Sequence, residues 1–77
     1  MMINARLEVE AGSETIRRLT RRVEAEYLEM PGLSVTMPQA QRLLGIDPKT
    51  CAVVMRTLVS RGFLRRTPRG TYIKAAG

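Results

Sequence analysis

Residues 36–74 read TMPQAQRLLGIDPKTCAVVMRTLVSRGFLRRTPRGTYIK, and the punctuation of this stretch decides the fold. Thr36 offers a side-chain oxygen at a helix start, and Gln39 three residues on completes a capping box. Pro38 falls in the first turn, where no helical N–H partner is needed, although it biases Met37 away from helical angles. Ala40, Leu43 and Leu44 carry this helix to Gly45, whose missing Cβ permits a left-handed corner. Ile46 is expected to plug the corner. Asp47-Pro48 then pairs an N-cap carboxylate with proline at the first helical position. The second helix is expected over 48–61, with Cys51, Val54, Met55, Leu58 and Val59 on its apolar side, and Gly62 closes it. Phe63-Leu64 begins a strand, Pro68-Arg69-Gly70 is turn chemistry, and Thr71-Tyr72-Ile73 returns as a second strand.

Working outward toward the N-terminus, Leu33-Ser34-Val35 reads as one short extended rung. From Glu14 to Met30 the apolar residues Ile16, Leu19, Val23, Tyr27 and Met30 recur at steps of three and four, one stripe of an amphipathic helix that Pro31-Gly32 ends. Ser13 is the expected N-cap of that helix. In residues 3–11, Ile3, Ala5, Leu7, Val9 and Ala11 alternate with Asn4, Arg6, Glu8 and Glu10. That is the pattern of a half-buried strand, or of a tail that frays at a chain end. The expected organisation is therefore an N-terminal strand or tail over 1–12 and one folded domain over 13–77. Its fold class is mainly α with a small β-hairpin: three helices and a C-terminal hairpin, with an extra N-terminal strand if residues 1–12 are not a tail.

Composition narrows the chemistry. A chain of 77 residues holds one small core, which by itself supplies roughly 3–5 kcal/mol. One cysteine and no histidine exclude an intramolecular disulfide and the common zinc sites within one chain. They also remove Ser-His and Cys-His nucleophile pairs, so neither an enzyme, a metal, a cofactor nor a small-molecule substrate is expected. MMINARLEVEAG has no basic flank followed by an apolar core, and no apolar run nears the length that spans a bilayer. A cytoplasmic protein with no membrane partner is expected.

The net charge of +6 is unevenly placed. After Pro31 eight cations (Arg42, Lys49, Arg56, Arg61, Arg65, Arg66, Arg69, Lys74) face Asp47 alone, the footprint of a surface that tracks phosphates. Between residues 14 and 30, Arg17, Arg18, Arg21 and Arg22 precede Glu24, Glu26 and Glu29, the reverse of what a helix dipole favours. An antiparallel copy of the same helix would set each basic half against an acidic half, which suggests a homodimer; a solvated charged face is the plainer account. Cys51 and the aromatic residues Tyr27, Phe63 and Tyr72 fall inside amphipathic patterns and are expected in the core or at its edge.

Taken together, these segments resemble the small bacterial winged helix-turn-helix DNA-binding proteins. EYLEMPGLSVT leads into the first motif helix, LLGIDPKT forms the turn, and LVSRGFLRRTPRGTYIK forms the end of the second helix and the wing. The resemblance implies double-stranded DNA as partner, a role in transcription regulation and a two-fold dimer. Carried across, it gives the recognition role to helix 48–61, whose outward residues are Lys49, Ala52, Val53, Arg56 and Ser60. Lys49 is placed for base edges or phosphates, Arg56 and Arg42 for the backbone, and Arg65, Arg66 and Arg69 for the minor groove or phosphates from the wing. The sequence departs from the family pattern in two ways. Ala52 and Val53 stand where polar residues are usual, which suits thymine methyl groups or a protein surface. Gln41 stands where a small residue is favoured, four positions before the corner glycine, with Ala40 beside it. The alternative function is a winged-helix protein-interaction module docking through Ala52 and Val53; RNA binding by the same basic surface is a third.

Overall fold

The capping chemistry at Thr36 and Asp47 is present atom for atom in the computed structural model, which describes the backbone of residues 2–75 and the side chains of residues 14–75. The chain runs α1 (Met2–Glu29), β1 (Ser34–Thr36), α2 (Met37–Leu44), α3 (Pro48–Ser60), β2 (Leu64–Arg66) and β3 (Thr71–Lys74). At the start of α2 the Gln39 N–H donates to Thr36 Oγ1 at 3.3 Å, and the Thr36 N–H donates to Gln39 Oε1 at 2.8 Å. Gly45 takes φ 65°, and its N–H donates to the Gln41 carbonyl at 2.8 Å, turning the chain out of α2. Asp47 caps α3 by accepting from the Thr50 N–H at 3.1 Å and from the Thr50 hydroxyl at 2.6 Å. At its other end Phe63 N–H reaches the Leu58 carbonyl and Gly62 N–H the Val59 carbonyl, each at 3.0 Å. This paired closure is a Schellman ending, with Gly62 at φ 80°.

β1, β3 and β2 form an antiparallel sheet in that order, with β3 central. Val35 and Arg66 both lie opposite Tyr72, and Ser34 and Arg65 both lie opposite Ile73. The layout is mainly helical with a small three-stranded sheet, which is compatible with a winged-helix arrangement. α3 is the central helix: Cys51, Val54, Met55 and Leu58 are each 0% exposed. Around it pack Val23 and Tyr27 of α1, Ala40 and Leu44 of α2, Val35, Leu64 and Tyr72 of the sheet. The Tyr27 hydroxyl donates to the Tyr72 carbonyl at 2.6 Å, tying α1 to the central strand, while its ring meets Phe63 edge-on at 6.3 Å between centroids. Ala40, 2% exposed, supplies the small packing residue where the helices meet, and Gln41 is half-buried. Among the described residues no helix is long and apolar enough to cross a membrane.

Several expectations are corrected. Residues 3–11 form no strand; the backbone is helical from Met2 and runs through Gly12 and Ser13 into α1 without a break. Ala, Leu, Arg and Glu are strong helix formers, and an alternating apolar series also contains the i, i+4 spacings of a helix, such as Ile3 with Leu7 and Leu7 with Ala11. Ser13 is accordingly an interior residue and not a cap. Met30 lies beyond the end of α1 and is exposed, while the buried stripe instead takes in Thr20, whose hydroxyl donates to the Arg17 carbonyl at 2.8 Å. Val59, at the edge of the α3 stripe, is 37% exposed. α3 itself ends at Ser60, with Arg61 as its C-cap.

Candidate nucleic-acid interface

The cap on α3 fixes what the helix presents. Because Asp47 holds the first turn through Thr50, Lys49 stands exposed one position inside the helix start. At 3.6 residues per turn, burial of Cys51, Val54, Met55 and Leu58 forces Lys49, Val53, Arg56 and Ser60 outward, and all four are exposed. Ala52 is half-buried on the flank that faces the sheet. Hydrogen bonds from Thr50 hold the Asp47 carboxyl below its ordinary range. It therefore stays ionised and committed to the cap, and no other Asp or Glu follows Pro31 in the sequence.

A groove of about 210 Å³ separates α3 from the hairpin, lined by Met37, Ala52, Arg56, Val59, Arg66 and Tyr72. Its floor is apolar and its two guanidinium groups come from different elements, Arg56 from α3 and Arg66 from β2. The register explains why Arg66 is there. Arg66 pairs with buried Tyr72 and so shares the sheet face that looks toward α3, just past the edge of the core. Arg65 pairs with Ile73 and takes the opposite face. The two arginines, adjacent in sequence and alike in expectation, are thus divided between two faces of the sheet. Both are exposed.

Arg69 stands exposed at the tip of the hairpin. The turn beneath it is tied by Gly70 N–H to the Thr67 carbonyl at 2.9 Å, Thr67 N–H to the Thr71 carbonyl at 2.8 Å, and the two threonine hydroxyls at 2.7 Å. With Gly70 at φ 85° this is a three-residue hairpin loop with a left-handed closing glycine. Arg42 is exposed in the last turn of α2. At the same helix end Arg22 of α1 serves the fold: its Nη2 donates to the Leu43 carbonyl at 3.3 Å, one of the acceptors a helix end leaves open.

The structure therefore joins Ala52, Arg56 and Arg66 around one groove, with Lys49 and Val53 on the adjoining outward face of α3. Arg65 lies on the far face of the sheet. Sequence reasoning missed Met37, Val59 and Tyr72 as groove residues. Val59 was within reach, since it lies seven positions after Ala52 and so on the same helix face; the other two depend on the packing of separate elements. Cys51 is fully buried, and burial, with the Asp47 charge as a smaller contributor, pushes its thiol up, so it stays protonated in the core. A wider hollow of about 350 Å³, lined by Thr15, Arg18, Leu19, Arg22 and Ile46, lies against α1 and involves none of the groove residues. The protein matches no family model, no curated protein and no solved structure.

Proposed function

We propose that this protein is a winged-helix protein that binds double-stranded DNA, most simply as a cytoplasmic transcriptional regulator. The observation that carries the reading is that Arg56 and Arg66 line one groove, with Lys49 exposed on the adjoining outward face of the same capped helix. In this reading α3 enters the major groove, which is wide enough to admit a helix. Arg56 and Arg66 grip phosphates on either side of the groove between helix and hairpin, and Arg42 anchors the backbone from α2. Arg69 reaches forward from the hairpin tip. Arg65, on the outer face of the sheet, contributes only general positive potential. No enzyme chemistry and no cofactor enter this mechanism.

Fluorescence anisotropy of a random-sequence duplex across a salt series tests the proposal. Four or five phosphate contacts predict a plot of log affinity against log salt with a slope of roughly −4. Absence of binding at low salt rules the reading out. The rival reading, a protein-docking module, is favoured by the 43% exposure of Val53 beside Ala52. It predicts that Val53→Asp abolishes function while Arg66→Glu leaves it intact. Competition with structured RNA separates RNA binding from duplex binding.

A two-fold homodimer belongs to the same proposal. Since residues 3–11 continue α1, the route is antiparallel α1 pairing, with Arg17, Arg18, Arg21 and Arg22 of one copy against Glu24, Glu26 and Glu29 of the other. Exposed Leu28 adds apolar area on the side of α1 that carries Arg17, Arg21 and Glu24. Solution mass of the 77-residue chain and of a variant lacking residues 1–11 checks this; two monomers refute it.

A further inference from the structure

The outward line of α3 carries cations at Lys49 and Arg56 and an apolar residue between them. Lys49, Val53, Arg56 and Ser60 follow one another at helical steps, and Val53 is 43% exposed with half-buried Ala52 beside it. Neither the valine nor the alanine has a side-chain donor or acceptor. Guanine and adenine edges are discriminated in the major groove by paired hydrogen bonds, which Val53 and Ala52 cannot make. The one apolar mark that groove displays is the thymine C5 methyl. A second feature points to the same base pairs. Arg69 sits at the tip of a turn braced by the Thr67 and Thr71 bonds, and a guanidinium on a stiff projection is favoured in the narrow, strongly negative minor groove of A-tracts.

We infer that the DNA this protein prefers is A·T-rich, and that Val53 and Ala52 select it by apolar contact with thymine methyls. The inference rests on the duplex-binding reading above. The experiment is anisotropy with three duplexes of equal length: an A·T-rich one, the same one with every thymine replaced by uracil, and a G·C-rich one. Uracil keeps every hydrogen-bonding group and every phosphate and removes only the methyls. The thymine duplex is expected to bind most tightly, and uracil to weaken binding about fourfold for each methyl buried against the helix. Val53→Ser, a change at an exposed position, should narrow the thymine–uracil difference, with a circular dichroism melt verifying that the variant is folded. Equal affinity for the thymine and uracil duplexes, or tighter binding of the G·C-rich one, overturns thymine readout and leaves duplex binding standing. No binding to any of the three at low salt overturns both.

Discussion

Tyr27 serves the fold with both ends of its side chain: the ring fills the core against Phe63, and the hydroxyl holds the Tyr72 carbonyl at 2.6 Å. Burial pushes its phenol up from 10.0 to about 12. The folded protein thus keeps a proton that the unfolded protein releases near pH 10. The contribution is complete below about pH 10 and is lost as pH rises through about 12. Tyr27→Phe should cost about 1 kcal/mol in urea unfolding at neutral pH and should flatten the alkaline fall. Asp47 has the opposite sign. Its carboxyl is held low by the Thr50 bonds, so its contribution is present above the ordinary carboxylate range and disappears as pH falls through the depressed value. Asp47→Asn should keep the cap and remove that acid-side dependence, as read from thermal melts across acidic pH. At Gly45, an added Cβ meets nothing within 4 Å, so only the left-handed backbone at φ 65° is at stake. Gly45→Ala should therefore lower stability by about 1–2 kcal/mol in the same unfolding assay.

α3 shows how sharply burial divides neighbours within one element. Leu58 is 0% exposed and Val59 37%. Leu58→Ala should cost about 2–5 kcal/mol, enough to threaten a core of this size, whereas Val59→Ala should stay within about 0.5 kcal/mol in the same denaturant titration. The boundaries of α2 and α3 were legible because caps are local: Thr36 with Gln39, Asp47 with Thr50, and Gly62 all act on backbone groups a few residues away. The N-terminal segment was not legible by the same means. Its alternation over residues 3–11 is compatible with a strand and with a helix, and the deciding terms are helix propensity and continuity with the stripe from Ile16 onward. β1 was only half readable. Its extended character shows at Leu33-Ser34-Val35, but its existence as a strand depends on Tyr72 and Ile73, far along the sequence.

At the scale of the molecule, α1 has 28 residues, so at 1.5 Å per residue it is about 42 Å long and nearly matches the 45 Å long axis. The candidate interface sits at the other elements, around α3 and the hairpin. Half of that surface was readable beforehand: helical period alone places Lys49, Val53 and Arg56 outward. The remainder required the sheet register, because a one-residue slip exchanges Arg65 for Arg66 on the face toward α3. That register is the basis of the most direct test. Two double variants lower net charge equally: Arg56→Glu with Arg66→Glu at the groove, and Arg17→Glu with Arg18→Glu on α1. Duplex affinity at fixed low salt is compared by anisotropy. The groove pair is expected to lose binding by roughly 10–100-fold while the α1 pair stays within a few-fold of the parent protein. Equal losses for the two pairs would contradict it, since binding would then follow total charge and not the surface that α3 and Arg66 build together.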